Sequence, residues 1–257
     1  MANTIVSPYA SRPRSEWPSI TKRLLHAHPL SPHEILEIAD AAWASLWKST
    51  IGAGQNRTPL KSLTVPATVV GYLFEILFSN ELLRRSNGLW RGSNAANEKD
   101  LVHTKDSRFS IELKTSGQLG SKVFGNRSYA QKRSIGDRQK KEKSGYHVTV
   151  NFYRQTMTLV RFGWIDSTDW SPQLAPTGQM AGLSDDVYRW KLVEIVGNYQ
   201  LKGPIELLHG IGPKRARELQ TSGIETIGDL IAYSGLLPST VALARDELRK
   251  KFPTAER

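Results

Sequence analysis

The segment from residue 146 to residue 164 constrains the fold of this chain most. Polar residues alternate with apolar ones over residues 146–152, and an apolar run follows at residues 157–164. Alternation with a period of two is typical of a strand with one buried face, so the segment predicts two adjacent strands. Further short strands are expected upstream, bounded by turn residues, at residues 89–91, 100–103 and 109–114.

Two helices are predicted before these strands. Ser31, Pro32 and Glu34 have the order of an N-cap, a first helical residue and a capping-box glutamate. Apolar residues then recur every three or four positions, which predicts one buried stripe. The second helix is expected to begin near Pro66, and its apolar composition on nearly all sides predicts a central place in the core. We therefore expect an α/β (α+β) fold in which helices flank a mixed central β-sheet.

Composition divides the chain into three parts. Residues 1–30 are rich in Pro, Ser and Arg, and they predict an irregular N-terminal arm. Gly203 and Pro204 mark a boundary, after which Leu, Ile, Gly and helix-forming residues dominate. We therefore expect a main domain at residues 31–203 and a small all-α domain at residues 204–257.

The net charge of +11 and the isoelectric point near 9.8 imply a polyanionic partner. Nucleic acid is favoured over an acidic membrane surface, because no basic amphipathic helix with an aromatic apolar face stands out. The chain contains no cysteine, which excludes disulfides and thiolate chemistry and fits the reducing cytoplasm. Without an apolar run of about 20 residues or a signal-peptide core, the protein is expected to be soluble and cytoplasmic.

Much of the excess positive charge lies at residues 122–143. This segment contains eight basic residues and only two acidic ones, Asp137 and Glu142. The basic residues are Lys122, Arg127, Lys132, Arg133, Arg138, Lys140, Lys141 and Lys143. They could neutralise phosphates of a nucleic acid, or they could form only a solvated basic loop.

A carboxylate and an ammonium lie two residues apart on the strand at residues 109–114. Period-two geometry places Glu112 and Lys114 on one face of this strand, with apolar residues on the other. Asp100 begins a neighbouring strand and can reach the same end of the sheet. Two such carboxylates suit Mg²⁺, which prefers oxygen ligands, and a lysine beside them can orient or deprotonate water. The alternative is an exposed strand face without a catalytic role.

Asp100 followed by Glu112-Leu113-Lys114 resembles the motif of the PD-(D/E)xK nuclease superfamily. The residue before Asp100 is lysine rather than the proline of that motif, which is a departure from the pattern. The resemblance implies a PD-(D/E)xK core in which Asp100, Glu112 and Lys114 are catalytic. It also implies that Asp100, Glu112 and the backbone carbonyl of Leu113 bind Mg²⁺.

Glu75 interrupts the second, apolar helix. An unpaired carboxylate in such surroundings is unfavourable by about several kcal/mol, so it becomes neutral, finds a partner or faces a polar cavity. The superfamily resemblance implies that Glu75 joins the metal site through a water molecule. The alternative is that Glu75 is a solvated polar residue of the helix with no role in a site.

The continuation ELKTS, followed by FGNRSYA at residues 124–130, is similar to a group of type II restriction endonucleases, the ScaI-like family, over residues 66–165. This resemblance implies Mg²⁺-dependent hydrolysis of double-stranded DNA at a short palindromic sequence. A homodimer with one site per subunit is expected, because a palindrome presents two equivalent strands. A cognate DNA methyltransferase is implied in the same system, without a stable complex.

The segment after the catalytic strand is expected to contact DNA. Asn126 and Arg127 can bond to adenine and guanine edges in the major groove. Asn126 after Gly125 is equally typical of a turn. The full set of expected DNA-contact residues in this segment is Gln118, Lys122, Asn126, Arg127, Ser128, Lys132 and Arg133.

Residues 205–219, IELLHGIGPKRAREL, closely resemble a helix-hairpin-helix DNA-binding motif. Gly210 and Gly212 allow a sharp turn and a close approach of the backbone to a phosphate, and Lys214 and Arg215 add positive charge. The resemblance implies a salt-dependent contact with the DNA backbone that reads no sequence. The alternative is an apolar helical module that contacts another protein.

Two other functions agree with many of the same residues. A branched-DNA or repair nuclease would also combine this catalytic core with helix-hairpin-helix elements, but the E-R-K signature expected there is absent from the sequence. A non-catalytic DNA-binding or scaffold protein would use Glu112 and Lys114 only as strand residues. Incubation with duplex DNA and Mg²⁺ distinguishes the three functions.

Overall fold

Among the described residues, six strands form a mixed central sheet that helices flank, which agrees with the predicted α/β class. The computed structural model describes residues 6–130, 141–172 and 180–253. The helices are α1 Trp17–Ala27, α2 Pro32–Lys48, α3 Ala67–Arg85, α4 Asp185–Trp190, α5 Pro213–Thr221, α6 Ile227–Ala232 and α7 Ser239–Lys251. The strands are β1 Thr50–Ile51, β2 Thr58–Pro59, β3 Trp90–Gly92, β4 Leu101–His103, β5 Ile111–Ser116, β6 Gly125–Asn126, β7 Gly145–Tyr153, β8 Thr156–Ile165, β9 Trp170–Pro172, β10 Met180–Leu183 and β11 Leu192–Glu194.

The strand order places the two short strands of the predicted site side by side. The order is β11-β8-β7-β5-β4-β3, in which β5 and β7 are parallel and the other neighbours are antiparallel. Leu101 of β4 lies opposite Ile111 of β5, and Glu112 of β5 lies opposite His147 of β7. Asp100, directly before β4, therefore lies beside the residues that follow Ile111.

One face of the sheet packs against α1, α2 and α3 in the main apolar core. Phe74 of α3, Ile111 of β5 and Phe162 of β8 are fully buried there. The predicted capping box starts α2: the Ser31 hydroxyl accepts the Glu34 N–H at 3.2 Å, and the Glu34 carboxylate accepts the Ser31 N–H at 2.9 Å. Helix α3 packs against β5 on its apolar side.

The opposite face of β5 and β7 carries polar side chains and is covered by a second, smaller sheet. This sheet has the order β6-β10-β9, and its core includes Val123, Tyr129 and Trp170. The sequence predicts a long surface connection at residues 166–182, whereas β9 and the start of β10 lie within that range. Strands of three and four residues with Ser, Pro and Gly are too short to produce a recognisable alternation.

The predicted irregular arm at residues 1–30 is wrong for Trp17–Ala27, which forms α1. Ile20 and Leu25 of this helix are buried in the main core, together with Tyr9. The Thr21 hydroxyl donates to the Trp190 carbonyl at 2.6 Å, so the helix is also tied to α4. The apolar spacing within α1 outweighs the Pro- and Arg-rich composition around it.

Helix α3 begins after Pro66, as predicted, but it is not buried on all sides. Phe74 and Phe78 are fully buried, whereas Tyr72 is 66% exposed and Ile76 is 42% exposed. Only one face of α3 packs against α2 and the sheet. The prediction of a central place in the core is therefore wrong for the outer face of α3. Apolar residues on that face, Tyr72 and Ile76, lie at the protein surface.

The C-terminal residues form a separate small core around α5, α6 and α7. Ile205, Ile211 and Leu219 are buried in it. The expected first helix of the hairpin is instead a short 3-10 turn at Ile205–Leu207. The Ile205 N–H donates to the Glu225 carbonyl, and few residues separate Pro204 from Gly210, so a longer helix does not form there. Within the described ranges, no helix has the length and apolar character that crossing a membrane requires.

Candidate active site

Neighbouring strands bring Asp100 and Glu112 together. Asp100 directly precedes β4, and Glu112 is the second residue of β5. The backbone N–H of Leu113 donates to Asp100 Oδ2 at 2.8 Å, which fixes that carboxylate against β5. The side chains are largely buried, with exposures of 10% for Asp100 and 2% for Glu112. The two predicted carboxylates therefore meet at one end of the sheet.

Glu112 is surrounded by donors and cations. Its Oε1 accepts hydrogen bonds from Lys114 Nζ at 2.6 Å and from the Tyr129 hydroxyl at 2.5 Å. Its buried Oε2 lies 2.8 Å from Lys141 Nζ, but no donor of the described residues makes a well-aligned hydrogen bond to it. Lys141 Nζ also donates to Asp100 Oδ1 at 2.5 Å. A single ammonium thus bridges both carboxylates.

The pKa values of these groups reflect burial and mutual pairing. Burial alone would raise the pKa of Glu112, but Lys114, Lys141 and Lys99 outweigh burial and hold that pKa well below its usual range. Burial would lower the pKa values of Lys114 and Lys141, yet Glu112 and Asp100 raise both. For Lys99 burial dominates and lowers the pKa to about 8. Glu112 is therefore ionised at neutral pH.

A cleft of about 320 Å³ opens beside Lys114. Its lining also includes Glu75, Asn126 and Tyr129. Burial, helped by the negative charge of Asp100, raises the pKa of Glu75 to about 7. Of the alternatives for Glu75, the structure places this carboxyl at a polar cavity that it shares with Lys114.

The arrangement of Asp100 and Glu112 fits a hard divalent cation. Over residues 6–130, 141–172 and 180–253, no three His, Asp or Glu side chains converge as a set of metal ligands. Mg²⁺ is nevertheless usually held by one or two carboxylates, with water and substrate phosphate as its other ligands. Oxygens of Asp100 and Glu112 converge here on one cationic atom, Lys141 Nζ. Their chemistry and position therefore suit such an ion.

The segment between β5 and β6 contains two predicted DNA-contact residues. Hydrogen bonds from β7 and α4 hold its backbone in place. Gln118 and Lys122 are exposed, and Lys122 Nζ lies 3.4 Å from Asp185. The Asn151 amide donates to the Lys122 carbonyl at 2.9 Å. The Tyr188 hydroxyl accepts the Val123 N–H at 2.9 Å and lies 3.1 Å from the Val123 carbonyl. These bonds hold the backbone of the segment beside the cleft.

Asn126 has the turn geometry that the sequence gives as its alternative role. Its Oδ1 accepts the Ser128 N–H at 3.2 Å and the Ser128 hydroxyl at 2.6 Å. Both side chains are exposed, and Asn126 lines the cleft. The predicted contacts Lys132 and Arg133 lie outside the described residues, as does the side chain of Arg127.

Sequence reasoning missed two residues of this site, Tyr129 and Lys141. The sequence assigns Lys141 to phosphate contact and gives Tyr129 no role, whereas both contact Glu112. Burial and the charge of Glu112 raise the pKa of Tyr129, so its hydroxyl stays protonated and donates. Both reach Glu112 from segments outside β5, so the pattern of that strand alone does not reveal them.

The predicted helix-hairpin-helix residues form an open turn before α5. Gly210 has a φ of +82°, in the left-handed region that favours glycine. A Cβ atom at Gly210 or Gly212 would meet no other atom within 4 Å, so the backbone of the turn is accessible. Lys214 is exposed, and Arg215 donates to the Thr240 hydroxyl at 2.8 Å.

Comparison with known proteins identifies the class of this chain. The family model described as ScaI restriction endonuclease matches residues 7–196. The type II restriction enzyme ScaI of Streptomyces caespitosus is 34% identical over 199 residues, which cover 74% of this chain and 84% of that enzyme. No solved structure matches the chain.

The predicted class is therefore confirmed: the chain is a type II restriction endonuclease, a site-specific deoxyribonuclease. Within that class it belongs to the ScaI restriction endonuclease family. The family match ends at residue 196, so the helix-hairpin-helix resemblance of the following residues stays a prediction.

Glu75 predicts a specific pH dependence of stability in metal-free buffer. Its pKa rises from an ordinary 4.5 to about 7 on folding, so its contribution is most favourable below pH 4.5 and is lost as the pH rises towards 7. Glu75→Gln is therefore expected to raise the free energy of unfolding at pH 8 by about 1–2 kcal/mol, after allowance for solvent screening. Urea denaturation between pH 4.5 and 8 measures this difference.

Glu81→Gln on the same helix is the control for the Glu75 substitution. Hydrogen bonds from Arg84 and Arg85 lower the pKa of Glu81, so its removal relieves no buried charge. Parallel stability profiles for Glu75→Gln and the unmodified protein across this pH range would contradict the assignment of Glu75 to a partly desolvated cleft.

Proposed function

We propose that this restriction endonuclease has a PD-(D/E)xK core at residues 31–203, with Asp100, Glu112 and Lys114 as its catalytic residues. The observation that supports this most strongly is the convergence of the two carboxylates on one cationic atom, at 2.5 and 2.8 Å. Lys114 lies beside them, 2.6 Å from Glu112 and 3.9 Å from Asp100. Two acids can hold a metal ion and a lysine beside them can position water, and metal-assisted phosphodiester hydrolysis can use both.

Asp100 and Glu112 would hold a divalent cation, and the Leu113 carbonyl, which accepts from Lys114 Nζ at 3.2 Å, is the proposed further ligand. Mg²⁺ is the proposed ion, because it accepts a site with few carboxylates and leaves room for water and phosphate. Glu75, which lines the cleft together with Lys114, would contribute through a water molecule. When bound, the cation supplies charge stabilisation at the phosphate oxygens and lowers the pKa of a water molecule.

Lys114 is proposed to orient the attacking water and to offset charge on the phosphate. Burial opposes its protonation, but Glu112 and Asp100 raise its pKa above the usual value. In the metal-free protein Lys114 is therefore an ammonium at neutral pH, and it donates a hydrogen bond to Glu112 Oε1 at 2.6 Å.

Double-stranded DNA is the proposed substrate, cut at a short palindromic sequence by a homodimer with one site per subunit. The exposed segment beside the cleft, with the basic residues that follow it, is proposed to contact this DNA. Its contact residues are Gln118, Lys122, Asn126, Arg127, Ser128, Lys132 and Arg133. A cognate methyltransferase that protects the same sequence is expected in the system, without a stable complex.

Residues 204–257 are proposed to form a helix-hairpin-helix domain that grips the DNA backbone. The open turn at Gly210 and Gly212 precedes α5, whose first backbone N–H groups are available to a phosphate oxygen. Lys214 and Arg215 add positive charge at the same helix end. Such a contact adds affinity without reading sequence.

Substitution of the catalytic residues tests the proposed active site. Lys114→Met and Glu112→Gln are each expected to slow cleavage of long duplex DNA in Mg²⁺ by at least about 100-fold, since positioned acid–base and electrostatic groups contribute about this much or more. Gel electrophoresis measures cleavage, and DNA binding is expected to be largely retained. Discrete fragments are the product expected of a type II restriction endonuclease.

Lys105→Met is the matched control, because Lys105 is an exposed lysine after β4 and its replacement removes the same charge. This variant is expected to cleave normally. Normal cleavage by Lys114→Met or Glu112→Gln would show that the active site lies elsewhere. Intact DNA with the unmodified protein in Mg²⁺ would contradict metal-dependent cleavage by this site.

The salt dependence of DNA binding tests the C-terminal domain. Lys214→Ala is expected to weaken binding about equally for all sequences and to lower the slope of log K against log salt by about 1, because one phosphate contact is lost. Fluorescence anisotropy at several salt concentrations measures the slope. Lys250→Ala, on the last turn of α7, is the charge-matched control. An unchanged slope for Lys214→Ala would favour a protein-contact module instead.

A further inference from the structure

Lys141 occupies the position between the two carboxylates of the proposed active site. Its Nζ lies 2.5 Å from Asp100 Oδ1 and 2.8 Å from Glu112 Oε2. Residues 141–144, between Lys141 and the start of β7, form neither helix nor strand, and Lys99 Nζ donates to the Glu142 carbonyl at 3.0 Å. The ammonium therefore reaches the site from a separate segment of the chain.

Glu112 has hydrogen-bond donors other than Lys141. Lys114 and Tyr129 already donate to Glu112 Oε1, whereas the contact of Lys141 with Oε2 lacks hydrogen-bond alignment. The Leu113 N–H likewise donates to Asp100 Oδ2 and leaves Oδ1 to Lys141. Lys141 thus binds the one oxygen of each carboxylate that the rest of the site does not engage.

Those two oxygens are also the ones that could bind a divalent cation. An ammonium is a compact cation with three donors on a flexible stem, and it can leave when a competing ion arrives. The Lys141 side chain is 23% exposed, compared with 2% for Glu112, so it has a path to solvent. The geometry fits a replaceable cation better than a permanent structural ion pair.

We propose that Lys141 is a positioning residue that competes with the divalent cation: its ammonium holds the Asp100 and Glu112 carboxylates together in the metal-free protein and is displaced when the ion binds. This inference rests on the proposed function of Asp100 and Glu112 as metal ligands. It assigns Lys141 a role at the metal site in place of the phosphate contact that the sequence predicts.

Competition of this kind reduces the apparent affinity for metal by the fraction of molecules in which the site is free of the ammonium. Lys141→Met keeps the apolar stem and removes the charge. We expect this variant to bind Mn²⁺ in the absence of DNA at least about tenfold more tightly than the unmodified protein, if the ammonium occupies the site in about 90% of molecules or more. Isothermal titration calorimetry with Mn²⁺ alone measures this affinity.

Lys143→Met controls for the general loss of a positive charge near the site. Lys143 Nζ donates to the Ser128 carbonyl and lies 5.5 Å from the centre of the Tyr129 ring. Its removal is expected to tighten Mn²⁺ binding far less than the removal of Lys141. Lys141→Arg keeps the charge and is expected to bind Mn²⁺ about as weakly as the unmodified protein.

Thermal unfolding gives a second readout that does not depend on activity. Because a ligand stabilises the folded state in proportion to the logarithm of its concentration over Kd, Mn²⁺ should raise the Tm of Lys141→Met more than that of the unmodified protein. A larger Tm increase also shows that the variant is folded.

The outcomes separate this inference from the function on which it rests. Tighter Mn²⁺ binding by Lys141→Met, but not by Lys143→Met or Lys141→Arg, supports the competition. Equal affinities for Lys141→Met and the unmodified protein, or equal gains for Lys141→Met and Lys143→Met, overturn it while leaving the metal site intact. Absence of Mn²⁺ binding in the unmodified protein and in Lys141→Met would overturn both.

Discussion

The buried Glu112 carboxylate is the constraint around which the site is organised. An isolated ionised carboxylate at this depth is unfavourable by on the order of several kcal/mol, so its partners must be in place when the chain folds. Lys114 comes from the same strand, Tyr129 from the segment after β6, and Lys141 from the segment before β7. Glu112 therefore ties two other parts of the sequence to its own strand.

The same cluster places cations beside the carboxyl groups. Lys99, Lys114 and Lys141 offset the negative charge of Asp100 and Glu112 and of the neighbouring Glu75 and Glu142. The excess positive charge that attracts a polyanion belongs to the chain as a whole, with its net charge of +11. Asp100 and Glu112 are the proposed metal ligands within this cluster.

Much of strand β5 could be predicted from local sequence. The alternation around Glu112 gives the strand, its buried face and the shared face of Glu112 and Lys114, because side-chain direction in a strand depends only on residue parity. The position of Asp100 follows from a short antiparallel pairing between adjacent segments. The alternation of residues within β5 and its pairing with the adjacent strand are therefore sufficient to predict where Asp100, Glu112 and Lys114 lie.

Other features depend on contacts between distant segments and could not be predicted in this way. Asn126 lies opposite Met180 in the small sheet, although 54 positions separate the two, and neither strand is long enough to show alternation. Lys141 looks like one more member of a basic run until the fold brings it to Asp100. Helix α1 lies within residues 1–30, whose Pro- and Arg-rich composition is typical of an irregular arm, and its apolar residues fill less than half of the helix.

The proposed metal site is tested most directly by a crystal structure of the protein soaked in Mn²⁺, with the ion located by its anomalous scattering. We expect one strong peak in contact with both the Asp100 and Glu112 carboxylates, with the Lys141 ammonium moved away. A peak bound elsewhere, or carboxylates too far apart to share an ion, would contradict this site.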